Sequence, residues 1–311
     1  MIWKTRITEM TKTKFPLIMA AFARWSTTEF AAAFSNAGGL GIITALNYDV
    51  STFKNELQKM YSLTNNPFGV NITIIPPRAS HDEPVPKEED YLKYVEIALN
   101  EGVNIFTSSA YQAPFVGKRV REAGCYWFHK CSLIRHALSA EKLGANAITL
   151  IGLEASGFKN PYMHTTLVNL TIAKELLKVP IIAAGGFGDA RGIIGALTMG
   201  AEAVCMGSAI LTSKESPLHS VMKEQWLNID VLTEEYHKAL YHMTLKGTRV
   251  PSPAVAFQSE VKPLKVFLES LMEDAAAILK SYGFTNEEFN TLHMQILVNS
   301  CSAISVRYCY I

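Results

Sequence analysis

The sequence predicts an α/β fold, a (β/α)8 TIM barrel with a small helical subdomain after the eighth strand. Three observations carry that expectation. Eight short apolar runs recur before residue 212, amphipathic segments separate them, and glycines stand where the seventh and eighth strands should end. A doubly wound sheet more often stops at five or six strands. The 311 residues suffice for a barrel, which commonly takes about 250 residues as one unit.

The runs are PLIMAAF (16–22), LGIITAL (40–46), FGVNITII (68–75), NIFTSSA (104–110), CYWFHKC (125–131), AITLIGLE (147–154), PIIAAGG (180–186) and AVCMGSAI (203–210). Each is short and apolar on both faces, as a strand buried in a parallel sheet should be. Between them TTEFAAAFSNAG, EEDYLKYVEIALNEG, SLIRHALSAEKLG and TTLVNLTIAKELLK read as helices, most of them stopped by a glycine or, in the last case, by Pro180. After the third run, PPRASHDEPVPKEED (76–90) is too long for a routine connection. Its place at a strand end predicts a lid or substrate loop. After the eighth, SKESPLHSVMKEQWLNIDVLTEEYHKALYHMTLKG is helical in pattern but does not return at once to the barrel wall. The last barrel helix is expected in KPLKVFLESLMEDAAAILKSYG. The barrel domain therefore takes residues 1–212 with about 255–284, and the helical subdomain about 213–254. Residues 285–311 have no assigned role. The segment VPSPAVAFQ offers a surface for a partner subunit, and a homodimer is one expectation.

Composition narrows the function. A net charge of +1 with 18% charged residues gives no reason to expect nucleic acid or an anionic membrane. No run approaches the roughly 20 apolar residues of a membrane span. The first residues lead into no secretory core, so a cytoplasmic enzyme acting on a small molecule is expected. Five cysteines form no C-x-x-C pair and are odd in number, which argues against a zinc site and a disulfide framework. No His, Asp and Glu set falls at ligand spacing on the strand ends, so no metal is expected.

The strongest local signal is AAGGFGDARG (183–192) with MGSA (206–209) at the ends of runs seven and eight. Glycines there let backbone N–H groups approach a phosphate, the usual task of this corner of a barrel, although they also permit tight turns. Gly185, Gly186 and Gly207 are the candidates. No G-x-G-x-x-G opens a helix after the first run, which weakens a dedicated dinucleotide domain. On the third run, alternation puts Asn71 and Thr73 on one face, as an amide and a hydroxyl for a planar polar ligand or as partners of neighbouring backbone. On the fifth, His129 and Lys130 must face opposite ways. An inward Lys130 would be a cation for an anionic group, leaving His129 in the helix layer in a structural role, with His136 after it.

NAGGLGII, NPFGVNITIIPP, KCSLIRHALSAEKLGANAI, GLEASGF, VPIIAAGGFGDARG and GAEAVCMGSAIL, in this order, closely resemble the nitronate monooxygenase family. That family includes NADH:quinone reductases and FMN-dependent enoyl reductases. The resemblance spans roughly residues 14–215. It implies a TIM-barrel flavoprotein with non-covalent FMN and a small second domain. Carried over, it puts the backbone of Ala20, Ala21 and Phe22 against the flavin, where relatives usually have glycines and a methionine. Asn71 and Thr73 reach the ring's polar edge, and Lys130 stands beside it to stabilise anionic reduced flavin. Gly185, Gly186, Gly207 and Ser208 take the phosphate, and Ser156 and Gly157 match small residues next to the cofactor.

The sequence departs from the family at Phe158, where nitronate-oxidising members typically carry a histidine. A phenyl ring transfers no proton. His164 is the nearest replacement, though it also reads as a solvated residue at a helix start. Both belong to the expected substrate pocket, and the catalytic residues are not assigned. Phe158 would also stack on a conjugated substrate. The leading expectation is an FMN-dependent monooxygenase acting on a small nitronate-like substrate with oxygen. The alternative is a reductase of quinones or enoyl thioesters using NADH or NADPH, with Arg78 as a contact for the dinucleotide pyrophosphate. A remoter one is a barrel binding a phosphorylated metabolite without flavin.

Overall fold

The computed structural model describes residues 1–75, 86–157, 160–241, 250–285 and 287–291. Its strands are β1 (Ile2–Lys4), β2 (Leu17–Met19), β3 (Gly41–Thr44), β4 (Phe68–Thr73), β5 (Ile105–Ser109), β6 (Tyr126–Cys131), β7 (Ala147–Ile151), β8 (Ile181–Ala184), β9 (Ala203–Met206) and β10 (Glu288–Asn290). Strands β2 to β9 are the eight expected from the sequence. All neighbours are parallel, in the order β2-β9-β8-β7-β6-β5-β4-β3. The ends of that order meet through a bridge between Ile18 and Leu40. Leu40 N–H donates to Leu17 O at 2.8 Å and Met19 N–H to Leu40 O at 3.0 Å, so the eight strands form a closed TIM barrel.

Helices occupy the intervals for local reasons. Thr28–Asn36 begins where the Thr27 hydroxyl accepts from Phe30 N–H, and Ala190–Thr198 where the Asp189 carboxylate accepts from Gly192 N–H. Pro114 opens Pro114–Glu122 at the position where a missing N–H costs nothing. The 18-residue helix Leu264–Ser281 packs against both Ala190–Thr198 and Thr28–Asn36, and so fills the place of an eighth barrel helix. Its inner face, Leu264, Phe267, Leu268, Leu271, Met272, Ala275 and Leu279, is buried as the 3.6-residue period requires.

After β9 the chain forms Ser208–Leu211, Ser220–Leu227 and Glu234–Tyr241. Trp226 of the second is buried and meets Trp25 edge-on at 6.3 Å, which seats this helix on the loop after β2. The buried Lys223 amine is satisfied by the carbonyls of Lys214 and Ser216 at 3.1 and 2.8 Å, and burial lowers its pKa. No described helix is long and apolar enough to cross a membrane.

Strands β1 and β10 pair in parallel outside the barrel, a two-stranded sheet that the sequence analysis did not anticipate. The Trp3 and Phe289 rings meet at a tilt of 44° with centroids 5.2 Å apart. At the barrel floor, the N-terminal side of the strands, fully buried Glu202 accepts from both the backbone N–H and the guanidinium of Arg6. Arg6 Nη1 also donates to Lys178 O at 2.8 Å. This pair fastens the N-terminal helix Arg6–Thr11 across the loops before β8 and β9. Removing its cation leaves a buried carboxylate short of its counter-charge. Arg6→Ala should therefore cost about 3 kcal/mol of unfolding free energy, measured by urea denaturation; a loss below the error of that measurement would deny the pair this role.

Candidate functional site

The C-terminal ends of the strands gather the polar residues. On β4 and β5, Asn71 Nδ2 donates to Thr107 Oγ1 at 2.8 Å, and the Thr73 hydroxyl donates to Asn71 Oδ1 at 2.6 Å. Ser109 Oγ lies 3.3 Å from Thr73 Oγ1. The register sets Asn71 opposite Thr107 and Thr73 opposite Ser109, so one face of two adjacent strands carries all four. The opposite face meets the helices: Trp127 packs so closely on Pro114–Glu122 that a methyl group on Gly117 would fall 2.3 Å from its ring. The four polar residues therefore line the barrel interior. Asn71 and Thr73 were legible as a pair, whereas Thr107 and Ser109 were missed because only the cross-strand register brings them there.

The same parity divides His129 from Lys130. His129 is buried on the helix side, where its Nδ1 is 2.8 Å from Ser108 Oγ, and Trp127 Nε1 donates to that oxygen at 2.8 Å. Burial lowers the His129 pKa to about 4, with a smaller push from nearby His136. Lys130 points inward. Its charge reaches the buried Cys205 thiol of β9, whose pKa is raised by burial against the opposing pull of that lysine. Among the described residues no carboxylate pairs with Lys130.

Loops complete the mouth. The Glu154 carboxylate, which looks exposed in sequence, accepts from both the N–H and the hydroxyl of Thr166 at 2.8 Å. It thus sits at the N-terminus of the helix Thr166–Leu176, where the helix dipole favours an anion. The Thr166 hydroxyl is also within 3.2 Å of the Ala184 carbonyl and 3.1 Å of the Gly185 carbonyl. The loop after β7 is therefore bound to the turn after β8. In that turn Gly185 and Gly186 have φ of 110° and 84°, a region that suits glycine.

Ser156 Oγ lies 3.3 Å from Ser208 Oγ, joining the ends of β7 and β9. A Cβ on Gly207 would touch Phe22 and Ala20 at 3.7 and 3.8 Å, so the ends of β2 and β9 also converge, and a Cβ on Gly157 would meet nothing within 4 Å. Ala20 N–H donates to Met206 O, and Ala21 and Phe22 are half-buried beside it. His164 is held by its carbonyl, which accepts from Leu153 N–H at 2.9 Å, and its ring lies 6.1 Å from that of Tyr162. Phe158 and Arg78 lie outside the described residues. Among the described residues no group of three or more His, Cys, Asp or Glu is arranged for a metal ion. Sequence reasoning also missed Ser252, whose backbone N–H donates to Ser208 Oγ at 2.8 Å from 44 residues away. In the segment around it, read as a surface for a partner subunit, Pro251, Ser252, Ala254 and Val255 are buried on the chain's own barrel while Ala256 and Phe257 stay exposed.

A family model described as nitronate monooxygenase matches residues 4–239. The chain belongs to the nitronate monooxygenase family. Among its relatives, proteins named "Probable nitronate monooxygenase" from Staphylococcus aureus strains MSSA476 and JH9 are 29% and 28% identical over 258 residues, covering 72% of this chain and 72% of each relative. Among solved structures, a FabK mutant from Thermotoga maritima superposes with a TM-score of 0.75 at 26% identity, covering 90% of this chain and 98% of that one. Nitroalkane oxidase from Streptomyces ansochromogenes gives 0.73 at 20% identity, covering 88% and 99%, a likeness of fold. The nitronate monooxygenase family match runs from the barrel floor through the helix Glu234–Tyr241, so all the polar groups just described except Ser252 fall inside it.

Two outcomes follow from this geometry. Glu154→Ala should lower unfolding free energy by about 1–2 kcal/mol, while Glu154→Gln, which keeps an acceptor for Thr166, should lose much less in the same urea titration. The second concerns His129. Its folded pKa lies below the unfolded value of 6.5, so the unfolded chain binds the proton more tightly between pH 6.5 and about 4. The neutral ring's contribution is complete above pH 6.5 and falls away as pH drops through that window, by about 3 kcal/mol in all. Unfolding free energy measured against pH should show this slope in the wild type and a flatter one in His129→Gln.

Proposed function

We propose that the chain is an FMN-dependent oxidoreductase that oxidises a small nitronate-like substrate with oxygen. The observation that carries this reading is an inward lysine without a carboxylate partner at the same barrel end as a cradle of glycines and hydroxyls, within the family match. The donor set fits the cofactor. Ser208 Oγ accepts from Ser252 N–H and lies 3.3 Å from Ser156 Oγ, so two hydroxyls able to donate to an anion meet at the ends of β7 and β9. Gly157 and Gly207 leave room for a ligand where a larger residue would intrude. FMN, when bound, supplies the redox chemistry and the reaction with oxygen.

In this reading Gly185, Gly186, Gly207 and Ser208 hold the phosphate, with Ser156 and Gly157 beside the ring. The backbone of Ala20, Ala21 and Phe22 lies under it. Asn71, fixed by Thr73 and Thr107, presents an amide of set direction to the ring's polar edge. Lys130 opposes negative charge, whether on the reduced ring or on a nitronate. A nitronate arrives already deprotonated, so the mouth needs no general base at Phe158. The helix Ser220–Leu227 is seated beside this end of the barrel by Trp226 on Trp25.

A second reading, an NAD(P)H-dependent reductase of quinones or enoyl thioesters, is favoured by Phe158 itself, an apolar ring suited to a conjugated substrate. The purified protein should be yellow and release FMN on denaturation; a colourless protein that takes up no FMN would remove both readings. Mixed anaerobically with NADH, it should keep its flavin colour while consuming propionate-3-nitronate in air, and rapid bleaching would select the reductase instead. Lys130→Met should lower kcat/KM by about 100-fold and make the bound flavin harder to reduce, read as a fall in its midpoint potential.

A further inference from the structure

Residues Pro251–Gln258 lie across the turn after β8 and the end of β9, and three tethers hold them there. Ser252 N–H donates to Ser208 Oγ at 2.8 Å, Gln258 Nε2 donates to Gly188 O at 3.1 Å, and the Tyr236 hydroxyl donates to Pro251 O at 2.8 Å. The fit is tight: a Cβ on Gly188 would fall 2.3 Å from Ala254 O and 2.9 Å from the Phe257 ring. Ser252, Ala254 and Val255 are buried. The segment thus touches both halves of the cradle, the turn bearing Gly185 and Gly186 and the hydroxyl that follows Gly207.

We propose that this segment is a strap that completes the phosphate site and retains the phosphate-bearing cofactor. Ser252 is a positioning residue, acting through its backbone. By donating to Ser208 Oγ it fixes the position of that hydroxyl beside Ser156 Oγ, and the chain on either side of it closes the turn from above. Release of the phosphate then requires the strap to lift. The inference rests on the FMN reading and adds to it a part of the chain beyond the family match, which ends at residue 239.

The test is the rate of FMN release from the loaded full-length protein, followed by flavin fluorescence after dilution, with riboflavin, which lacks the phosphate, as the second probe. Gly188→Ala, whose methyl pushes the strap away, should release FMN at least about tenfold faster, equal to 1.4 kcal/mol of retention, and leave riboflavin affinity unchanged. Gln258→Ala, which cuts one surface tether and puts little strain on folding, should show the same selectivity with a smaller increase, and it decides the matter if Gly188→Ala does not fold. Unchanged FMN release in the folded variants, or equal loss of FMN and riboflavin, would overturn the strap while leaving the flavin reading intact. A wild-type protein that takes up no FMN would overturn the flavin reading and the strap with it.

Discussion

Everything at the mouth depends on the closure of the barrel between β2 and β3, where a single bridge and two hydrogen bonds join the ends of an eight-stranded parallel order. Closure fixes the parity of every strand, because a one-residue slip would exchange its inward and outward faces. With parity fixed, Asn71, Thr73, Thr107, Ser109 and Lys130 face inward together, and Ser108, Trp127 and His129 are turned to the helices. The ladder between β2 and β9 in turn brings Gly207 within contact of Ala20 and Phe22.

The eight strands were legible because a strand buried on both faces leaves an apolar run that no loop imitates, and the helices between them are punctuated by glycine or proline. β1 and β10 were not. Each is three residues long, and their pairing joins the two ends of the chain across nearly its whole length, which no local pattern reports. The site was legible where it depends on one strand: alternation alone separated Lys130 from His129 and paired Asn71 with Thr73. It was illegible where it depends on register or loop packing. Thr107 is set 36 residues from Asn71, Thr166 lies 12 residues from Glu154, and Ser252 lies 44 residues from Ser208. The contact of VPSPAVAFQ with its own barrel was illegible for the same reason, since an apolar segment reads alike whether it packs on its own barrel or on a neighbour.

Polar groups at the mouth fall into two kinds by what already holds them. Glu154 accepts two hydrogen bonds from Thr166 and serves to bind one loop to the next. Asn71 has its oxygen engaged by Thr73, and its amide nitrogen donates to Thr107 Oγ1 at 2.8 Å with Ser109 Oγ at 3.4 Å, so the whole side chain has a direction imposed on it. A rigid, oriented donor loses less entropy on binding than a free one, which is how a shell of neighbours contributes to affinity without touching the ligand.

Adjacent residues of β6 resolve opposite electrostatic problems. His129 sits in the helix layer with Ser108 and Trp127, and burial keeps it neutral by taking its pKa to about 4. Lys130, one residue on, faces the barrel interior instead. The thiol across from it, Cys205, is driven towards its protonated form by burial more strongly than the lysine draws it the other way, so no thiolate forms to balance the charge. Among the described residues no carboxylate does so either. A cation held inside a barrel, short of a protein counter-charge, gains most when an anion enters beside it, because the low-dielectric walls strengthen that attraction and the ligand supplies what the fold withholds. The chain thus keeps inside its barrel an electrostatic demand that an anion would satisfy, and in the function proposed above that anion is an electron-rich reduced ring or a nitronate.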